Sequence, residues 1–112
     1  MASKKTIRAA VIGCGQIGKK HAAAIQESEH AVLAAVCDID HKRARQIAQV
    51  SNIMPYTNVD EMLAAESLDA VTVATPDHLH VDPVLKSLAA GCHVFCEKPM
   101  ATTLEDALKM NE

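Results

Sequence analysis

Gly13, Gly15 and Gly18 stand between an apolar run and a segment of helical periodicity, and no other feature of the chain restricts its fold as much. Residues 6 to 12, TIRAAVI, form a strand-like run that stops at glycine. QIGKKHAAAIQES, from 16 to 28, then carries Ile17, His21, Ala24, Ile25 and Ser28 at helical spacing. Strand, glycine turn and helix, in that order, are the setting in which G-x-G-x-x-G becomes a dinucleotide fingerprint; elsewhere the motif is weak, because glycines at turns are common. In this setting Gly13 allows the tight turn, Gly15 the close approach of backbone to a pyrophosphate, and Gly18 the close packing of helix on strand. The N–H groups near Gln16 and Ile17 would face the phosphates, aided by the roughly half positive charge of a helix N-terminus.

The fingerprint also asks for an acidic residue about 20 positions further on, at the end of the second strand. HAVLAAVC, from 30 to 37, is a continuous apolar run of strand length, expected to be covered on both faces, and Asp38 follows it. A carboxylate there accepts hydrogen bonds from the adenine ribose and repels a 2′-phosphate, so NAD is expected over NADP. Lys42 and Arg43 work the other way, since a basic side chain can pair with the extra phosphate. The competing structural account makes the glycines a plain turn and Asp38 a cap on the following loop. Agreement of strand, helix, spacing and acid argues against it.

The rest of the chain keeps alternating. Asp40 is placed to cap a helix through HKRARQIAQV, with Ala44, Ile47 and Ala48 as its buried stripe. IMPYT, from 53 to 57, is expected to be a short strand, and its Pro55 points to an outer position in the sheet. Asn58 and Glu61 form a capping pair for VDEMLAAE. DAVTVATP, from 69 to 76, is a buried strand ended by Pro76. HVDPVLKSLAAG is a helix with Pro83 in its first turn, where no N–H is needed, and Gly91 as its stop. CHVFCEK supplies a fifth strand, and Thr102 with Glu105 opens a last helix, LEDALKM. Strands alternating with helices imply an α/β fold: a doubly wound parallel sheet of the Rossmann type, five strands in the order 3-2-1-4-5, with right-handed crossovers.

Composition excludes other classes. A net charge of −3, a single Phe, a single Tyr and no Trp leave neither a positive field nor stacking platforms for nucleic acid. The core must rest on Ala, Val, Leu and Ile. No stretch of about 18 uncharged apolar residues offers a membrane span. The start of the chain imitates an export signal, but Arg8 leaves only Ala9 to Ile12 as a clean apolar run, short of the roughly 7 to 15 residues required. A cytoplasmic chain is expected, with Cys14, Cys37, Cys92 and Cys96 as reduced thiols in or beside buried strands. Cys92 and Cys96, read as members of one strand, lack C-x-x-C spacing and are expected to be buried rather than redox partners. His21 is expected to be a partly buried packing residue. Asp77, His78 and His80 are metal-type ligands, yet no fourth ligand stands at matching spacing, so no metal is expected.

Two further segments narrow the class: ATPDHLH, closing the strand at 69–76, and Glu97-Lys98-Pro99 after the fifth strand. With VIGCGQIGKKH and VCDID, they make nearly the whole chain resemble the N-terminal domain of the glucose-fructose oxidoreductase, inositol dehydrogenase and MocA family. The resemblance implies that Thr75, Pro76 and His80 line the nicotinamide half of the cofactor. It implies also that Glu97 belongs to the cofactor site, and that Lys98 reaches the nicotinamide ribose and the substrate hydroxyl as the catalytic residue. An ammonium there can donate a hydrogen bond and favour the alkoxide that forms as hydride leaves. Asp77 departs from the asparagine common in relatives and adds negative charge near the site.

The family's substrate-binding domain has no counterpart in these residues. Residues 1–112 are therefore expected to be the dinucleotide-binding Rossmann domain of a longer, two-domain NAD-dependent oxidoreductase acting on a hydroxyl-bearing carbon of a sugar, polyol or related small molecule, and to be inactive alone. The competing expectation is a non-catalytic module that senses NAD or engages a partner. A sheet stopping after its fifth strand and one helix is expected to leave an edge and apolar surface, and hence a homo-oligomer.

Overall fold

The computed structural model describes residues 6–75 and 81–96. Within them strands and helices alternate: β1 (Ile7–Ile12), α1 (Gln16–Glu27), β2 (Ala31–Cys37), α2 (His41–Ser51), β3 (Met54–Tyr56), α3 (Val59–Ala65), β4 (Ala70–Val73), α4 (Val81–Ala89) and β5 (His93–Cys96). The strands form one parallel sheet in the order β3-β2-β1-β4-β5, as expected. The direction of winding reverses between β1 and β4, which opens a crevice at the carboxyl ends of the central strands.

The sheet is covered on both sides because side chains alternate along each strand. Ala9 and Val11 of β1 join Val36 of β2 under Ala22 and Ile25 of α1 and Ala44, Ile47 and Ala48 of α2. Ala10 and Ile12, with Val71 and Val73 of β4, face the other way, toward Met62 of α3 and Val84 of α4. Ala9, Ala10, Ala35 and Ala70 are all fully buried. With so few aromatic residues available, small side chains at these positions let the helices lie close to the sheet and keep packing dense.

Helix boundaries follow local chemistry. The Asp40 carboxylate accepts from Lys42 N at 3.0 Å and the Asn58 side-chain oxygen from Glu61 N at 3.0 Å, as their positions predict. Gly91 follows α4 in the left-handed region at φ 87°. Asn52 ends α2 with φ 57°, a stop that the periodicity of the helix does not announce; asparagine tolerates that conformation better than most residues.

Some expectations are corrected. β2 is not covered throughout, since Val32 is 45% exposed; it pairs with the exposed Arg8 at the amino edge of the sheet, next to the short α3. Cys92 precedes β5 rather than lying in it, and its buried thiol donates to Leu68 O at 3.6 Å. β4 ends at Val73, three residues before Pro76. The expected helix at 104–110 lies outside the described residues. Arg8, the residue that interrupts the apolar N-terminal run, clamps the amino edge: its Nε donates to Ser67 O at 2.7 Å, and its guanidinium pairs with Glu66 at 3.0 Å. Glu66 in turn accepts from the Tyr56 hydroxyl at 2.7 Å.

Candidate functional site: the carboxyl edge of β1, β2 and β4

Three backbone hydrogen bonds extend the ladders past the strand ends and lock the glycine turn in place. Gly13 N donates to Cys37 O at 2.7 Å, Ala74 N to Ile12 O at 2.8 Å, and Asp38 N to Tyr56 O at 3.0 Å. Turn, acidic residue and Thr75 thereby share one edge of the sheet.

The three glycines meet different surroundings. Gly13 has φ +98°, and a Cβ on it would lie 2.8 Å from Ala74 C and 2.9 Å from Thr75 N. A Cβ on Gly18 would lie 1.8 Å from Gly13 O, so α1 touches the turn itself. Gly15 differs from both: its backbone is extended (φ −75°, ψ −160°), and no atom of the described residues lies within 4 Å of a Cβ placed there. Neither its own conformation nor a neighbour among the described residues requires a glycine at that position. What the missing side chain provides is open space over the start of α1.

That start is uncapped. α1 has no side-chain hydrogen bond at its N-cap and no acidic residue in its first turn, whereas Asp40 and Asn58 cap α2 and α3. The first bond into the helix runs from Lys19 N to Gly15 O. The N–H groups of Gln16, Ile17 and Gly18 precede it and point out of the helix end, as the first N–H groups of any α-helix do. Such a terminus with free space before it suits a phosphate group.

Asp38 borders this space and is nearly buried, at 9% exposure. One carboxylate oxygen accepts from Cys14 N at 2.7 Å, the other from Asp40 N at 2.8 Å. Both the fingerprint role and the capping role compared in the sequence are therefore compatible with one side chain, because each carboxylate oxygen can accept a second hydrogen bond. Ile39, next to it, is 85% exposed. The sequence pattern does not single it out, since an isoleucine after a buried strand reads as core; only its exposure beside Asp38 marks it as an apolar surface available to a ligand.

Behind the turn lie two thiols. Cys14 and Cys37 are buried, and the Cys14 Sγ donates to Cys37 O at 3.5 Å. Burial first, then the Asp38 carboxylate, pushes the Cys14 thiol up to about 12 from its ordinary value of 9.0. The same two causes push Cys37 up to about 11. Both thiols are inert at neutral pH, in line with a structural role. In the unfolded chain they ionise near 9.0, so above that pH the folded state holds more protons and stability falls as pH rises, until the folded thiols ionise near 11 and 12. Urea denaturation at roughly pH 8 and pH 10 should show this loss, and Cys14→Ala should reduce it.

Other residues singled out in the sequence fall as follows. Thr75 lies at the site edge with its buried Oγ1 lacking a hydrogen-bond partner among the described residues. His21 is fully rather than partly buried; its Nδ1 shares a hydrogen bond of 2.7 Å with Thr72 Oγ1, tying α1 to β4 and leaving the ring inside the core. Pro76, Asp77, His78, His80, Glu97, Lys98 and Pro99 lie outside the described residues. Among the described residues no group of three His, Cys, Asp or Glu is arranged to hold a metal, and no helix is long and apolar enough to cross a membrane.

Comparison with known proteins agrees with this fold. The family described as "Oxidoreductase family, NAD-binding Rossmann fold" matches residues 7–112. The chain is 38% identical over 110 residues to the inositol 2-dehydrogenase/D-chiro-inositol 3-dehydrogenase of Shouchella clausii, covering 96% of this chain and 32% of that protein. It is 36% identical over 106 residues to the 2,7-anhydro-N-acetylneuraminate hydratase of Mediterraneibacter gnavus, covering 95% and 28%. The crystal structure of scyllo-inositol dehydrogenase from Lactobacillus casei with bound NAD(H) and scyllo-inositol superposes with a TM-score of 0.78 at 28% identity, covering 96% of this chain and 34% of that one. The chain thus spans about a third of the length of these relatives.

Proposed function

Because the chain belongs to the oxidoreductase family with an NAD-binding Rossmann fold, we propose that residues 1–112 form the cofactor half of a two-domain enzyme that moves hydride between NAD and a hydroxyl-bearing carbon of a sugar or polyol. The observation that carries this is Gly15, a glycine that nothing among the described residues requires, opening onto the uncapped N-terminus of α1.

The residues present fit the cofactor. Gly15 leaves room for the pyrophosphate, and the N–H groups of Gln16 and Ile17 donate to it. Asp38, already held by Cys14 N and Asp40 N, keeps lone pairs for the ribose hydroxyls. Ile39 offers an apolar contact beside them. Thr75 brings an unpartnered hydroxyl to the same edge, and Gly13 and Gly18 hold the turn. Bound NAD supplies the hydride acceptor. Lys98 is assigned the substrate end, where its ammonium would donate to the substrate hydroxyl and stabilise the oxygen as hydride leaves the carbon, while Pro76, His80 and Glu97 are assigned to the cofactor. The remainder of the substrate pocket comes from chain beyond these residues.

Calorimetric titration of NAD and NADP tests the cofactor assignment. Wild-type protein should bind NAD at least about tenfold more tightly, a difference of about 1.4 kcal/mol. Asp38→Ala should remove that preference and also cost about 2 kcal/mol of stability, since two backbone N–H groups lose their acceptor. Equal affinity of the wild type for both cofactors would overturn the assignment of Asp38.

A further inference from the structure

Resting on the nucleotide-binding role proposed above, the geometry around the start of α2 points to a second selectivity element. Asp40 donates its N–H to Asp38 Oδ1 at 2.8 Å, so α2 begins directly beside the ribose carboxylate. Its own carboxylate is doubly engaged: Oδ1 accepts from Lys42 N at 3.0 Å, and Oδ2 lies 3.7 Å from Arg43 Nε. These are the two kinds of donor, a helix-terminal N–H and a guanidinium, that a phosphate at this end of the site would use. The Arg43 charge is also close enough to the glycine turn to oppose, in small part, the upward shift of the Cys14 thiol.

We propose that Asp40 is a specificity-determining residue: its carboxylate stands where a ribose 2′-phosphate would seek the Lys42 N–H and the Arg43 guanidinium, so NADP is disfavoured by two carboxylates and not by Asp38 alone. Arg43, which in the sequence counts in favour of NADP, is thereby held by an internal anion. The pair is exposed on both sides, with side chains 60% and 46% accessible, so its hold is weak and reversible. Removing the charge of Asp40 frees Arg43 and withdraws a negative charge from beside the site.

Asp40→Asn keeps the shape and the N-cap while removing the charge. Titration of NADH and NADPH into the full chain should show the NADPH-to-NADH affinity ratio rising about fivefold in Asp40→Asn, a gain that Asp40→Asn/Arg43→Ala loses. Asp40→Ser, which also caps, should behave as Asp40→Asn does, and thermal melts establish that each variant is folded. An unchanged ratio in both capped variants, or a gain that survives removal of Arg43, overturns the proposal while leaving NAD binding by the wild type intact. A wild type that binds neither cofactor defeats the nucleotide-binding role itself, and this inference with it.

Discussion

Gly18→Ala should not yield a native protein. Its methyl group would sit 1.8 Å from Gly13 O and 2.8 Å from Gly13 C, with Val11 Cγ1 at 3.5 Å behind them. None of the first two atoms can swing aside as a flexible side chain would. Gly13 is itself pinned, through its N–H to Cys37 O and by its tight approach to Ala74. Relief therefore requires α1 to withdraw from the sheet, which would uncover Ile25 and Ala22 and break the His21 to Thr72 hydrogen bond. A loss of at least about 4 kcal/mol is expected, against a total stability of about 5–15 kcal/mol for a domain. A thermal melt should show a midpoint lowered by about 20 °C or more, or no cooperative transition at all. A wild-type melt for Gly18→Ala would mean that the turn and α1 are not in the contact described.

Gly15→Ala should give the opposite result: a folded protein that has lost NAD. The position has ordinary extended backbone, and its Cβ meets nothing among the described residues within 4 Å, so the melting midpoint should stay within a few degrees of the wild type. The added methyl, however, fills the space a pyrophosphate needs to reach the N–H groups at the start of α1. A drop of about a hundredfold or more in NAD affinity is expected, equal to about 2.7 kcal/mol. Unchanged affinity in a folded Gly15→Ala would remove the observation on which the cofactor site rests. The two glycines thus separate folding from binding within one motif, which substitution at Gly13 cannot do, since its positive φ and its contacts with Ala74 and Thr75 both demand glycine.

Much of this fold was legible in the chain because its signals are local. Apolar runs bounded by glycine, proline and capping residues mark each strand and helix, and alternation of the two types leaves a parallel sheet as the economical arrangement. Asp40, Asn58 and Gly91 all act where their positions suggest. The coverage of β2 differs from expectation because a continuous apolar run does not say how far the neighbouring helices extend over it; Val32 is left exposed. The spacing of His21 predicts a partly buried packing residue because it gives a helix face but not the depth of that face or the presence of Thr72 opposite. Ile39 could not be recognised at all, since hydrophobicity alone does not distinguish a core residue from an exposed apolar contact.

The amino-acid sequence by itself determined the order of elements, the strand–turn–helix that suits a dinucleotide, and the acidic residue that follows the second strand, because each depends on residues close together in the chain. Tertiary structure decided what those residues do to one another. Gly15 is open while Gly13 and Gly18 are closed, and Asp38 braces the turn through Cys14 N while bordering the site. Those differences arise where the ends of β1, β2 and β4 meet. Gly13 against Ala74 and Asp38 against Cys14 N join segments far apart in the chain at distances of a few ångströms, which no local pattern encodes.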